Sequence, residues 1–248
     1  MSINYKIRED KKVRVIIDTD AACEADDQYA IVHALLSPKL TVKGIIAEQF
    51  NASDRVEAVE KSYAEIKRVL EILEIENIPV FRGYGDELSG NDDIPESEAA
   101  DFIIKEALAE NDKPLFVLCQ GALTNVAVAL RKRPDIQDRF TCIWIGGGVN
   151  EDGSLEYNLN NDYNAANTVF ESSVELWQVP MDAYSLMQVS YAELALKVGG
   201  CGKIGKYLFD ELQTVGLEQN WVAGESWALG DSPAPALAVN PNCGRYVL

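Results

Sequence analysis

Acidic side chains are concentrated in one short stretch near the start of the chain. Asp18, Asp20, Asp26 and Asp27 lie within ten residues of one another, and Glu24 lies among them. Carboxylates held close together repel one another strongly unless a cation neutralises them. Helix capping accounts for one such aspartate, but four are hard to explain in that way. The stretch therefore predicts a cation site with oxygen ligands.

The rest of the composition narrows the choice of metal. Oxygen ligands favour calcium or magnesium over zinc. The chain contains one histidine, His33, and its five cysteines form no Cys-x-x-Cys pair, so a zinc site would have few ligands. His33 falls inside a predicted helix and is expected to be a packed or surface residue, away from the chemistry.

Short apolar runs typical of strands alternate with amphipathic segments typical of helices. Strands are predicted at residues 13–17, 40–47, 78–81, 115–119, 141–145 and 176–179. Helices are predicted at residues 29–36, 55–73, 97–109, 124–131 and 164–172. This alternation predicts an α/β fold with an open, mostly parallel sheet flanked by helices. Because no linker divides the chain, we expect a single domain over residues 1–248.

Polar residues follow three of the predicted strands. Asp18 and Asp20 come at the end of the first strand, Asn51 follows the second, and residues 121–125 follow the fourth. Open parallel sheets bind ligands beyond the carboxyl ends of their strands. The sequence therefore predicts that these groups converge on one site.

The acidic stretch resembles the N-terminal signature of the nucleoside hydrolase family (inosine-uridine preferring nucleoside hydrolase-like), Asp-x-Asp-Pro-Gly-x-Asp-Asp. Here the spacer, residues 21–25, is two residues longer and lacks Pro-Gly. Further blocks resemble the family in the right order, between about residue 13 and residue 240, and together they are more specific than any one block. These blocks are residues 44–51, 78–83, 121–127, 145–148, 156–158 and 231–233.

The resemblance implies calcium-dependent hydrolysis of the N-glycosidic bond of ribonucleosides. It implies that Asp20 binds calcium and acts as the general base on the attacking water. The other implied calcium ligands are Asp27, Asp231 and the backbone carbonyl of Thr124. The residues implied to bind the sugar are Asp26, Asn51, Glu156 and Asn158.

The chain departs from the family where the nucleobase leaves. Many members have a histidine just before the late aspartate, and this chain has Gly230 there. Trp227 lies shortly before Asp231 and could stack on the base, which would favour purine nucleosides because stacking grows with ring area. Core packing is the alternative role for this tryptophan, since most tryptophans are largely buried.

The composition limits the cellular compartment and the binding partners that we expect. A net charge of −18 disfavours a nucleic-acid partner. No apolar signal segment and no run of 18 apolar residues occurs, so we expect no membrane partner, and the unpaired cysteines favour the cytoplasm. The expected partner is a small-molecule nucleoside, and the resemblance implies a homodimer or homotetramer.

Two other functions remain open at this stage. The opening Asp18-x-Asp20 and the late Gly230-Asp231 are also compatible with a haloacid-dehalogenase-like phosphatase, which would leave Asp26 and Asp27 unexplained. The second is a non-catalytic or divergent ribosyl-binding protein of the same fold.

Overall fold

A computed structural model describes residues 5–50, 53–90, 93–149, 155–222 and 224–247. Its main sheet has six parallel strands in the order β3-β2-β1-β4-β5-β6. The strands are β1 (Val13–Thr19), β2 (Leu40–Ala47), β3 (Val80–Arg82), β4 (Leu115–Gln120), β5 (Thr141–Ile145) and β6 (Glu175–Val179). A separate antiparallel pair is formed by β7 (Gln188–Ser190) and β8 (Ser226–Ala228).

Helices connect the strands and follow the last of them. Those before β6 are α1 (Asp27–Leu36), α2 (Arg55–Ile72), α3 (Glu98–Leu108), α4 (Thr124–Lys132), α5 (Tyr157–Asn161) and α6 (Tyr163–Glu171). Those after β6 are α7 (Met181–Tyr184), α8 (Tyr191–Leu194), α9 (Gly202–Glu218) and α10 (Pro233–Val239). No helix of the described residues is long and apolar enough to cross a membrane.

The sheet is covered on both faces, which explains why β1 is buried along its whole length. Successive side chains of a strand point to opposite faces. Ile17 belongs to the core formed with α1, α2, α9 and α10, whereas Ile16 belongs to the core formed with α3, α4 and α6. The strands of a parallel sheet between two helical layers are therefore apolar on both faces and are mostly apolar in sequence.

The strand order places a crevice at the centre of the sheet. From β1 the chain proceeds to β2 and β3 on one side, and β4 then pairs with the other side of β1. Such a reversal opens a crevice beyond the carboxyl ends of the two central strands, where ligands of open α/β sheets bind. The residues after Thr19 and Gln120 therefore lie at the position where a site is expected.

The structure confirms the predicted fold class. It also contains every predicted strand and helix of the first 179 residues, with ends that differ by a few residues. The segment after β6 holds structure that the sequence reading did not identify, including α9, which is 17 residues long. This helix buries few of its residues, namely Gly205, Leu208 and Leu212, whereas the other long helix, α2, buries seven.

Candidate active site

A cleft of about 400 Å³ lies beyond the carboxyl ends of β1, β4 and β5. Six carboxyl groups line it: Asp20, Glu24, Asp26, Asp27, Glu156 and Asp231. The other lining residues are Cys23, Gln120, Ile145, Tyr157, Asn158, Tyr184 and Gly230. Among the described residues, no lysine, arginine or histidine lines the cleft. This concentration of negative charge needs a cation, protonation or both.

We call Asp20, Asp26, Asp27 and Asp231 the acidic wall of the cleft. All four are buried, and one carboxylate oxygen from each of Asp26, Asp27 and Asp231 lies within 4.8 Å of the others. Asp20 lines the same cleft but lies outside that closest group. Three hard oxygen donors at this spacing suit calcium or magnesium, so the residues fit the predicted cation.

The acidic wall is built from two distant parts of the chain. Asp26 is the N-terminal cap residue of α1, but its side chain makes no capping bond. Its Oδ2 instead accepts a hydrogen bond of 3.1 Å from the backbone N–H of Asp231. The Thr19 hydroxyl, at the end of β1, donates to Asp27 Oδ1. Capping therefore does not explain the cluster.

Burial and crowding raise the pKa values of the acidic wall. Burial, and to a lesser degree the charge of Asp26, raises the pKa of Asp27 to about 7. Burial raises the pKa of Asp26 to about 6, although the backbone hydrogen bond from Asp231 opposes the change. For Asp20 and Asp231, burial is again the largest cause and the charge of Asp27 the next, and both pKa values are raised. A bound cation would reverse these shifts, because it stabilises the charged forms.

Two further buried carboxyl groups, those of Asp18 and Glu48, lie behind the acidic wall. The amide Nδ2 of Asn125 donates to Asp18 Oδ1 at 3.1 Å and to Glu48 Oε2 at 2.7 Å. Gly121 lies between this pair and the cleft, where an added Cβ would come within 3.1 Å of Asp20 Cγ and 3.2 Å of Glu48 Cγ. A side chain at this position would crowd both carboxyl groups.

Glu156 is held rigidly at the N-terminus of α5. Its Oε1 accepts from the N–H of Asn158 at 3.1 Å and from the Tyr184 hydroxyl at 2.9 Å. Its Oε2 accepts from the N–H of Gly147 at 2.7 Å and of Leu159 at 2.8 Å. A carboxylate has about four acceptor positions. All four are used here, and Tyr184 is the one side-chain partner among the described residues.

The structure brings most of the predicted site residues together. Asp20, Asp26, Asp27, Glu156, Asn158 and Asp231 all line the cleft. Asn51 lies outside the described residues. His33 is exposed on α1, as predicted. The sequence placed Glu24 in the acidic stretch without a role, and it did not indicate Cys23, Gln120, Tyr157 or Tyr184 as residues of the cleft.

Thr124 is not brought to the cleft. It begins α4, is fully buried, and donates its hydroxyl to Asp162 Oδ2 at 3.0 Å. Gln120, the last residue of β4, lines the cleft instead, and both polar atoms of its side chain are buried without a hydrogen-bond partner in the described part of the chain. The prediction concerned the backbone carbonyl of Thr124, whereas Gln120 is the residue at the end of β4 that lines the cleft.

Trp227 is a core residue, which corrects its predicted role in stacking on the base. Its side chain is 2% exposed and is not among the residues that line the cleft. It lies on β8 opposite Val189 of β7, and its ring centre is 5.2 Å from that of Trp221. Although Trp227 is close to Asp231 in sequence, its side chain is packed in the core and does not line the cleft. The argument for purine preference therefore loses its basis.

Comparison with known proteins agrees with this geometry. Residues 15–247 match the model of the inosine-uridine preferring nucleoside hydrolase family. The pyrimidine-specific ribonucleoside hydrolase RihA of Salmonella agona (strain SL483) is 28% identical over 205 residues, which are 73% of this chain and 64% of the relative. The chain thus spans about 64% of the length of the curated relatives that it matches.

Solved structures share the fold. The purine-preferring ribonucleoside hydrolase from Gardnerella vaginalis superposes with a TM-score of 0.75 at 24% identity, covering 92% of this chain and 80% of that one. An inosine-guanosine nucleoside hydrolase gives a TM-score of 0.75 at 23% identity, with 92% and 79% covered. The match over nearly the whole chain excludes the haloacid-dehalogenase-like alternative, and the chain belongs to the inosine-uridine preferring nucleoside hydrolase family.

Proposed function

We propose that this protein hydrolyses the N-glycosidic bond of ribonucleosides with calcium as its cofactor, releasing nucleobase and ribose. The observation that carries the proposal is the cleft itself, where six carboxyl groups converge and none of the described lining residues is basic. Hydrolysis at an anomeric carbon passes through a sugar cation of the oxocarbenium type. A preorganised negative wall stabilises such a cation more than it stabilises the neutral substrate.

The proton transfers follow from the same residues. The water oxygen attacks C1′ of the ribose, the bond between C1′ and the base nitrogen breaks, and its electron pair goes to the base, which takes up a proton from solvent. Asp20 accepts the proton from the water as the general base. Its buried position beside Gly121 supports this role, since Asp20 lies within the cleft with little freedom to turn away.

The cation would be held by Asp27 and Asp231, with Asp20 and Gln120 beside them in the same cleft. When bound, it would lower the pKa of water and fix the orientation of the sugar diol. Asp26 is proposed to accept from a ribose hydroxyl. Its Oδ2 is oriented by the hydrogen bond from the backbone N–H of Asp231.

Asn158 and Glu156 are proposed to bind the other end of the sugar, together with Asn51. Asn158 is oriented by its Nδ2, which donates to the Ile145 carbonyl at 2.9 Å. A sugar hydroxyl that reaches Glu156 shares Oε1 with the Tyr184 hydroxyl, the one partner of Glu156 among the described residues that is not backbone. A homodimer or homotetramer remains a prediction from the family resemblance.

A nucleoside panel tests the proposal. Inosine, guanosine, adenosine, uridine and cytidine are incubated with the protein in calcium, and release of reducing sugar is measured. We expect ribose from at least one nucleoside and no phosphate from a generic phosphomonoester. The panel also sets the base preference, for which relatives named as pyrimidine-specific and as purine-preferring give opposite precedents. Nucleoside binding without ribose release would favour the non-catalytic ribosyl-binding alternative.

A further inference from the structure

Tyr184 and Gly230 form a close contact at the edge of the cleft. Tyr184 is the last residue of α7 and is half-buried, and Gly230 directly precedes Asp231. A Cβ atom added at Gly230 would lie 3.1 Å from Tyr184 Cδ2 and 3.3 Å from Asp26 Oδ2. The tyrosine ring therefore lies against the backbone at residue 230, in space that a larger side chain there would compete for.

The hydroxyl group of Tyr184 fixes the orientation of this ring. It donates to Glu156 Oε1 at 2.9 Å, so its proton is already engaged. Burial, and next the charge of Glu156, raises the pKa of Tyr184, so the hydroxyl stays protonated. Glu156 keeps three backbone donors without this bond. The part of Tyr184 that is left to meet a ligand is accordingly its ring.

The position of the ring indicates which part of a nucleoside it meets. It adjoins Asp26, which is proposed to hold the ribose, and residue 230 beside Asp231. The remaining groups of the acidic wall suit water, a cation and hydroxyls, whereas an aromatic ring suits another flat ring. The nucleobase is the flat ring of the substrate, and it projects from the sugar at C1′.

We propose that Tyr184 is a specificity-determining residue that contacts the nucleobase, and that glycine at position 230 leaves the space that its ring occupies. This inference rests on the proposed function, since it assigns a substrate group to the same cleft. Tyr184 and Gly230 then act as a pair, so the effect of a substitution at one position depends on the residue at the other.

Tyr184→Ala and Tyr184→Phe test the assignment in the full-length protein with calcium. Hydrolysis of inosine and uridine is measured as kcat/KM, and calorimetry measures binding of both nucleosides and of free ribose. We expect Tyr184→Ala to lower kcat/KM and binding of the preferred nucleoside by at least about tenfold, while binding of ribose stays within about threefold. Tyr184→Phe keeps the ring, so its kcat/KM stays within about threefold. Tyr246→Ala, an exposed tyrosine away from the cleft, is the control and is expected to match the wild type.

Gly230→Ala tests the pairing of the two residues. When Tyr184 is present, the added methyl group contacts its ring, so kcat/KM should fall by about tenfold. In the Tyr184→Ala background the same change should cost less than about threefold, because the ring is gone. An equal loss in both backgrounds would mean that the contact with Asp26 decides the effect, and this would overturn the pairing.

The outcomes separate this inference from the proposed function. Ribose release by the wild type with no change in Tyr184→Ala overturns the inference alone. Equal losses in Tyr184→Phe and Tyr184→Ala would assign the effect to the hydroxyl and also overturn it, as would equal losses for ribose and nucleoside. Nucleoside binding that depends on the ring, without ribose release, overturns the proposed function and supports the inference. Absence of both hydrolysis and nucleoside binding overturns both.

Discussion

The acidic wall and the contact between Tyr184 and Gly230 are two parts of one cleft that are built differently. The acidic wall draws three of its four aspartates from one short stretch at the end of β1 and the start of α1. The tyrosine comes from a four-residue helix after β6, and its neighbour comes from beyond β8. The comparison suggests that the chemistry is fixed by a compact motif, whereas the choice of substrate depends on packing between distant segments.

The largest expected effect comes from removing the proposed base. Asp20→Asn should lower kcat by about 10²- to 10⁴-fold, because an amide cannot accept the proton of the attacking water. The melting temperature should not fall, since the change removes a charge from a crowded group. Asp182→Asn, an exposed aspartate on α7, is the matched control and should leave kcat unchanged. Near-normal turnover of Asp20→Asn with its metal bound would mean that another group is the base.

The next effect concerns the cation. Asp231→Asn removes one of the three carboxylates that lie within 4.8 Å of one another, so calcium affinity should fall by at least about tenfold. Isothermal titration calorimetry measures this directly, whether or not the protein turns over substrate. Asp210→Asn, on the exposed side of α9, should bind calcium as the wild type does. Equal affinity in all three proteins would place the ion elsewhere.

The pH dependence of stability tests the crowding of the acidic wall. The folded-state pKa values are about 6 for Asp26 and about 7 for Asp27, above the ordinary value of 3.8. The folded protein therefore binds more protons than the unfolded chain, so metal-free protein should lose stability as the pH rises from about 4 to about 7. We expect a melting temperature at least about 3 °C higher near pH 5 than near pH 8, which corresponds to about 1 kcal/mol in a chain of this size.

Calcium and a variant sharpen that measurement. Calcium should raise the melting temperature more near pH 8 than near pH 5, because the ion competes with protons for the same carboxylates. Asp27→Asn should lose much of the difference between the two pH values. A metal-free protein that is more stable near pH 8 than near pH 5 would contradict the raised pKa values.

The smallest effect on activity is expected at Trp227. Because its side chain is buried against Trp221 and away from the cleft, Trp227→Phe should lower the melting temperature and leave kcat/KM within about threefold. Differential scanning calorimetry and the nucleoside assay measure the two effects on the same sample. A tenfold loss of kcat/KM at unchanged stability would return Trp227 to the substrate site and weaken the assignment of Tyr184.

The sequence predicted the sheet and most of the acidic wall for a physical reason. Buried parallel strands such as β1 and β4 are rich in apolar residues, and residues that follow parallel strands directly lie at one edge of the sheet. Asp20, Asp26 and Asp27 are therefore placed by local sequence alone. Asp231 is brought to the same cleft from more than 200 residues away, where the family motif supplied the information.

What the sequence could not predict depends on long-range packing. Thr124 and Gln120 differ by four residues, and the end of β4 decides which of them faces the cleft. Trp227 and Tyr184 are both aromatic residues of the segment after β6, and the pairing of β7 with β8 buries the first while α7 directs the second to the cleft. The lengthened spacer was one signal that could have pointed to Cys23 and Glu24.

The most direct test of the central claim is ribose release from the preferred nucleoside as calcium is removed and restored. Protein dialysed against a chelator should release ribose at least about 100-fold more slowly than calcium-loaded protein. Adding calcium should restore the full rate at one ion per chain. Unchanged ribose release by protein that direct metal analysis shows to be free of divalent cations would contradict the account.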